Sequence, residues 1–209
     1  MAESFQQGGI RGFLHRPDSG SFETSVVLAH GAGSNANAPI LIRACEALSA
    51  AGFACLRIDL PFRQARPSGP PHPSFAAKDQ AGIAEATLAM RQLGASRVVA
   101  GGHSYGGRQA SMLVAAQPEA ADLLLLFSYP LHPPDKPEAL RVSHFVTIRV
   151  PAVFVHGTKD PFGTIWEMEA ALKGLPVSPK LLEMPGCGHD LRRVDWPRVV
   201  ETITFSENS

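Results

Sequence analysis

A neutral serine hydroxyl is a poor nucleophile. It needs a base to take its proton, and the base needs a carboxylate to orient it. The sequence offers one such set in chain order, Ser104, Asp160 and His189. Ser104 stands in Gly102-His103-Ser104-Tyr105-Gly106, a GxSxG pattern with an apolar run before it and a segment of helical periodicity after it. That context is what a nucleophile elbow requires. A sharp strand-to-helix turn would hold the serine in strained φ/ψ, and flanking glycines avoid the collisions that larger side chains would make there. The following helix would aim its N-terminus at the site, favouring developing negative charge, with the Tyr105 N–H as one oxyanion donor. The bland alternative for the motif is a Gly-rich turn that packs closely or holds a phosphate.

A second glycine cluster, His30-Gly31-Ala32-Gly33-Ser34, follows the apolar run Ser25 to Ala29 and suits the other oxyanion donor, the Ala32 N–H. As a phosphate loop it lacks both GxxxxGK[ST] and the third glycine of a dinucleotide fingerprint. Asp160 lies in His156-Gly157-Thr158-Lys159-Asp160-Pro161 and His189 in Gly186-Cys187-Gly188-His189-Asp190, each just after an apolar run. Alone, an Asp before Pro is a common turn starter and a lone His is often structural. In the order Ser, Asp, His they form a set. Among rival acids, Asp59 precedes the serine in the chain and is expected to fix the loop starting at Pro61. Asp190 is badly placed to reach the neighbouring ring, and Glu183 falls inside a strand. His30, His103 and His156 read as packing or hydrogen-bonding residues, because a base must reach the serine hydroxyl. Cys187 has no elbow and reads as a small hydrophobe. With no HExxH and no clustered carboxylates, neither a metal nor a cofactor is expected.

These residues need a scaffold that gathers them. Apolar runs at Ser25 to Ala29, Phe53 to Ile58, Arg97 to Ala100, Leu123 to Phe127, Ala152 to Val155 and Lys180 to Met184 read as strands, mostly apolar throughout rather than alternating. That is the pattern of parallel strands covered on both faces. Helical periodicity at Ile40 to Ala51, Ala76 to Leu93, Gly107 to Ala116, Ile165 to Leu175 and Arg198 to Phe205 alternates with them, predicting a mostly parallel α/β sheet of right-handed βαβ units. Gly9 to His15 can add an antiparallel edge strand. Pro61 to Ser74, with five prolines, and Pro130 to Pro137, with four, read as loops. Ligands bind such sheets beyond the carboxyl ends of the strands, which is where Ser104, Asp160 and His189 fall.

Composition bounds the rest. At 209 residues with 44% hydrophobic and 18% charged residues, the chain is expected to form one domain, residues 1–209. Lys plus Arg and Asp plus Glu both number 19, giving no general attraction to nucleic acid or anionic lipid, and the pair Arg192 and Arg193 reads as a solvated face. Three cysteines without CxxC spacing argue against a disulfide framework or structural zinc and fit a reducing cytoplasm. The first nine residues do not resemble a signal peptide, and no apolar stretch approaches the roughly 18 residues of a membrane span. A soluble, unexported protein is the expectation.

With its motifs in view, the chain resembles the α/β-hydrolase superfamily from His30 to His189. More narrowly it looks like the branch that includes the testis-expressed protein thirty and the third regulatory subunit of the NSL chromatin complex. That likeness is carried by His30-Gly31-Ala32-Gly33, Asp59-Leu60-Pro61-Phe62-Arg63, Gly102 to Arg108, Tyr129-Pro130-Leu131-His132-Pro133-Pro134 and Gly157-Thr158-Lys159-Asp160-Pro161-Phe162-Gly163. It implies the α/β-hydrolase fold, the triad Ser104, Asp160 and His189, and the Ala32 and Tyr105 oxyanion donors. Dienelactone hydrolases stand as more distant relatives, with Cys where Ser104 stands. A glycine is usual in the branch at the position of Asp135. The segment Ser128 to Arg149, where larger relatives insert a lid, is too short for a separate cap domain, so an open site bordered by the two Pro-rich loops is expected.

Two functions fit. One is a serine hydrolase acting on a small-molecule carboxylic ester or related acyl substrate. The other is a non-catalytic protein-interaction module on the same scaffold, since the branch includes members regarded as parts of assemblies. A degenerate module would be expected to lose a triad member.

Overall fold

Residues 2–206 of the chain are described by a computed structural model. Eight strands form one sheet: β1 (Ala2–Gln7), β2 (Ile10–His15), β3 (Thr24–Ala29), β4 (Ala54–Ile58), β5 (Arg97–His103), β6 (Leu123–Phe127), β7 (Ala152–Gly157) and β8 (Lys180–Met184). Their spatial order is β1-β2-β4-β3-β5-β6-β7-β8. From β4 to β8 every pairing is parallel, and β2 joins β4 antiparallel, as does β1 to β2. The helices are α1 (Pro39–Ala50), α2 (Pro61–Ala65), α3 (Ala76–Gln92), α4 (Tyr105–Ala116), α5 (Ile165–Leu172) and α6 (Trp196–Ser206).

The near-continuous apolar strands follow from two buried faces. Along β3, Val27 and Ala29 join a core with Ile83 and Met90 of α3, Leu113 of α4 and Met168 of α5. Val26 and Leu28, one residue out of phase, join a second core with Leu41 and Leu48 of α1 and Val199 of α6. Successive side chains point to opposite faces of a strand, so helices on both sides demand apolar residues at every position. This is the α/β-hydrolase fold with helices on both faces. Between β6 and β7 the described chain forms only a short 3-10 turn, Phe145–Thr147, and no separate cap.

The structure departs from the sequence reading in places. β1 was not foreseen: its residues are almost all exposed and it pairs with β2 alone, so no buried face imposes a pattern. Inside the Pro-rich stretch, Pro61 starts the five-residue α2 as its first helical residue, a position where the missing N–H costs nothing. β5 runs on to His103 because Gly101, Gly102 and His103 continue the pairing with β6. α5 ends at Leu172 rather than Leu175, and opens on a capping box between Thr164 and Glu167. Asp59 does not fix the Pro61 loop through its carboxylate. Its two oxygens accept from Ala36 N–H at 2.7 Å and Arg11 Nε at 3.1 Å, while Asp79 of α3 receives the Phe62 N–H at 3.0 Å. Among the described residues, no helix is long and apolar enough to cross a membrane.

Two histidines away from the triad are held neutral. Arg57 Nε donates to His15 Nε2 at 3.0 Å, which leaves that nitrogen no room for a proton. Burial, then the Arg57 charge, lowers the His15 pKa from 6.5 to about 4. His144, paired through Nε2 with Ser111 Oγ at 2.8 Å, is lowered to about 4 by burial and then by Arg108. A folded pKa below the unfolded value means that between the two only the unfolded chain takes up the proton, so stability rises with pH across that window. The thermal midpoint is therefore expected to be level above about pH 6.5 and to fall as pH drops toward 4. A midpoint unchanged across this range in a thermal scan would contradict the neutral assignment.

Candidate active site

The β5–α4 junction is tightly constrained. Ser104, the N-cap of α4, sits at φ 51, ψ −115, a conformation that costs a non-glycine residue on the order of 1–3 kcal/mol. Two close packings make the turn possible. A Cβ on Gly102, whose φ is +149, would lie 2.1 Å from the Ala29 carbonyl oxygen, and one on Gly106 would lie 2.4 Å from the same atom. The elbow therefore rests on the end of β3, and Ser104 N–H ties to the Phe127 carbonyl of β6 at 2.9 Å.

The other two residues stand on loops beyond β7 and β8. These loops are stitched together: Lys159 N–H donates to Cys187 O at 2.8 Å, and Gly186 N–H to Thr158 Oγ1 at 2.9 Å. Arg43 of α1 donates to the carbonyls of Leu191 and Arg192, holding the loop that carries His189. The result brings all three sequence-selected side chains into line. His189 Nε2 is 2.9 Å from Ser104 Oγ, and His189 Nδ1 is 2.8 and 3.0 Å from the two oxygens of Asp160. A carboxylate only accepts, so Nδ1 carries the proton and Nε2 is free to receive the serine hydroxyl.

Asp160 is buried, and burial alone would raise its pKa. Hydrogen bonding and charge from His189, the Phe162 N–H at 2.9 Å and the neighbouring His156 outweigh that and hold it below its ordinary value. An ionised partner for the imidazole follows. Phe162 also lies against the His189 ring, centroids 4.2 Å apart, and His103 Nε2 reaches His189 O at 2.8 Å. His30 bonds through Nδ1 to Gly31 O and receives the Leu60 N–H on Nε2, and His156 donates from Nε2 to Gly163 O. None of these three histidines contacts the Ser104 hydroxyl. Cys187 is buried, with Sγ against Arg193 O.

The Ala32 and Tyr105 amides both face no backbone acceptor among the described residues, and both residues line a cavity of about 540 Å³ that contains Ser104. Prolines from both Pro-rich segments, Pro70, Pro71, Pro73 and Pro130, border it. A larger hollow of about 650 Å³ lies by α5 and β8, away from Ser104, with Glu169, Lys173, Ser178 and Glu183 in its lining and no histidine. Among the described residues no group of three or more His, Cys, Asp or Glu could hold a metal ion.

Sequence reasoning missed the supports. Arg63, only 5% exposed, donates to the carbonyls of Ser34, Ala32, Arg66 and Gly69, tying the loop of the second amide to the chain after α2. Asp79 accepts the Tyr105 hydroxyl at 2.6 Å. Its buried carboxyl has a raised pKa, burial outweighing its two hydrogen bonds. A basic residue just after Asp59-Leu60-Pro61-Phe62 was visible in the sequence, but its carbonyl partners were not.

The fold and the site's layout define an α/β hydrolase. The family model of the alpha/beta hydrolase domain matches residues 22–198, and the chain belongs to that family. Est1E from Butyrivibrio proteoclasticus is similar with a TM-score of 0.79 over 100% of this chain and 99% of that one, at 18% identity. A dienelactone hydrolase from Anabaena variabilis gives 0.73 over 99% and 94%, at 24% identity. XC6422 from Xanthomonas campestris, described as a serine hydrolase without lid, gives 0.69 over 100% and 93%, at 15% identity. At these identities the likeness is one of fold.

Gly106→Ala is expected to lower stability by about 1–3 kcal/mol, because its methyl group must displace the Ala29 carbonyl. Denaturant unfolding measures this, and an unchanged midpoint would contradict the packing of the elbow on β3.

Proposed function

We propose that the protein is a serine hydrolase of the carboxylesterase type, with Ser104 as nucleophile, His189 as general base and Asp160 as the orienting acid, acting as one catalytic domain on a small-molecule acyl substrate. An unbroken line of hydrogen bonds carries this reading, from Ser104 Oγ through both His189 nitrogens to a buried Asp160. Ser104 Oγ attacks the ester carbonyl while its proton passes to His189 Nε2. The imidazolium is balanced by Asp160, and the carbonyl oxygen, now an oxyanion, is received by the Ala32 and Tyr105 amides. The intermediate collapses, the alcohol leaves with the proton from Nε2, and the acyl group stays on Ser104. Water then repeats the sequence, with His189 taking its proton, to release the acid.

Two relatives of the same fold have names in keeping with this class, the dienelactone hydrolase and Est1E, the latter also solved with ferulic acid bound. The motifs from Asp59 to Arg63 and from Gly102 to Arg108 support, as a narrower proposal, a place beside the branch of the testis-expressed protein thirty.

A fluorophosphonate probe tests the assignment. Wild type should be labelled at Ser104 and Ser104→Ala should not. His189→Ala should lose nearly as much ester turnover as Ser104→Ala, on the order of 10⁴-fold or more, because the triad acts as a unit. Folded wild type that takes no label would favour a binding module instead, and turnover unaffected in His189→Ala would remove His189 as the base.

A further inference from the structure

The cavity beside Ser104 has His72, Tyr105, Arg108, Gln109 and Arg141 as its other polar lining residues. Arg108, in the first turn of α4, and Arg141, in the segment after β6, both face it, and the lining includes no Asp or Glu. No carboxylate lies within ion-pair distance of either guanidinium among the described residues. Arg108 Nε is buried without an acceptor, and so is Nε2 of Gln109, a fully buried residue lining the same cavity whose Oε1 is occupied by Gln80 at 2.9 Å. Arg141 is fixed through its main chain: its N–H donates to Leu131 O at 2.8 Å, and its carbonyl accepts the Tyr129 hydroxyl at 2.6 Å.

Two like charges in one cavity repel, and an unpaired buried donor forfeits the hydrogen bond it would have in water. Burial, then the nearby Arg108 charge, depresses the Arg141 pKa. An anion accepting from both guanidinia would offset their repulsion and give the buried donors a partner. A carboxylate suits them best, because its two oxygens match the planar guanidinium fork. Apart from His72, Ser104 and Tyr105 the remaining wall is apolar, including Met112 and Pro130, so the anion would sit at the end of a hydrocarbon stem.

We propose that this cavity is a carboxylate subsite, and that the ester cleaved at Ser104 carries a free carboxylate held by Arg108 and Arg141. This rests on the hydrolase reading above and names its substrate class. The attraction is charge-assisted, and loss of one such hydrogen bond weakens binding by about 10- to 100-fold.

The test compares esters that carry a free carboxylate with the same compounds in which that carboxylate is methylated. Monomethyl malonate, succinate, glutarate and adipate are set against their dimethyl esters, and 4-acetoxybutyrate against its methyl ester, so that the carboxylate lies on the acyl or the alcohol side. In at least one pair the carboxylate-bearing member should have the higher kcat/KM, by about 10- to 100-fold. In Arg141→Gln and in Arg108→Gln that ratio should fall toward one. Labelling of each variant by the fluorophosphonate probe reports that its triad is still assembled. A ratio of one or below in every pair, no turnover of any member by labelled wild type, or a ratio that both substitutions leave intact would overturn the carboxylate subsite while the hydrolase stands. Absence of labelling in folded wild type would overturn both.

Discussion

Ser104 is held in a backbone conformation it would not choose, at φ 51, ψ −115, by the close stacking of the β5–α4 turn on the end of β3. Everything chemical about the molecule depends on that constraint. The turn lifts the hydroxyl off the sheet, starts α4 directly behind it, and leaves the Tyr105 amide outside the helical ladder. A conformation of this kind persists only where surrounding contacts over-determine it. Here they are the Ala29 carbonyl under Gly102 and Gly106, the Ser104 N–H bonded to Phe127 O, and the Ser104 carbonyl bonded to Arg108 N–H. Strands β3, β5 and β6 therefore form a platform whose carboxyl ends meet under one side chain.

Electrostatics around the imidazole follow the same logic of position. Asp160 is taken out of water yet its pKa stays below the ordinary value, because hydrogen bonds from His189 and the Phe162 N–H, with the charges of His189 and His156, outweigh its burial. His189 is gripped on its ring face by Phe162, at its carbonyl by His103 and through its loop by Arg43. Under the proposed hydrolase reading, this fixed geometry leaves little reorganisation for the reacting state, which is where preorganised dipoles have their largest effect. Arg63 does for the Ala32 loop what the knitted loops do for Asp160 and His189: it replaces solvent with fixed hydrogen bonds to the carbonyls of Ala32 and Ser34.

Ser104, Asp160 and His189 could be picked out in the sequence because each follows an apolar run that reads as a strand, and the structure brings the three together. A strand buried on both faces must be apolar throughout, as Leu123 to Phe127 is, and the residues beyond it are then found by counting. β1 left no such trace, since one antiparallel neighbour and an exposed face impose no periodicity on Ala2 to Gln7. The five residues of α2 were masked by the prolines around them. The role expected of Asp59 falls to Asp79 for a different reason. Both are acids near the start of the Pro61 segment in space, but only the folded chain shows that Asp79, well downstream in α3, reaches the Phe62 amide. At Asp135, where the family resemblance leads one to expect glycine, φ is +59. Aspartate is among the few other residues that enter this left-handed region readily, so the loop keeps its turn without the glycine.

A crystal structure of the protein after reaction with a fluorophosphonate addresses the central claim most directly. The account predicts phosphorus bonded to Ser104 Oγ, with the phosphoryl oxygen about 2.7–3.1 Å from the Ala32 and Tyr105 nitrogens, the geometry of an oxyanion hole. A phosphoryl oxygen turned away from both amides, or phosphorus on a different side chain, would contradict it.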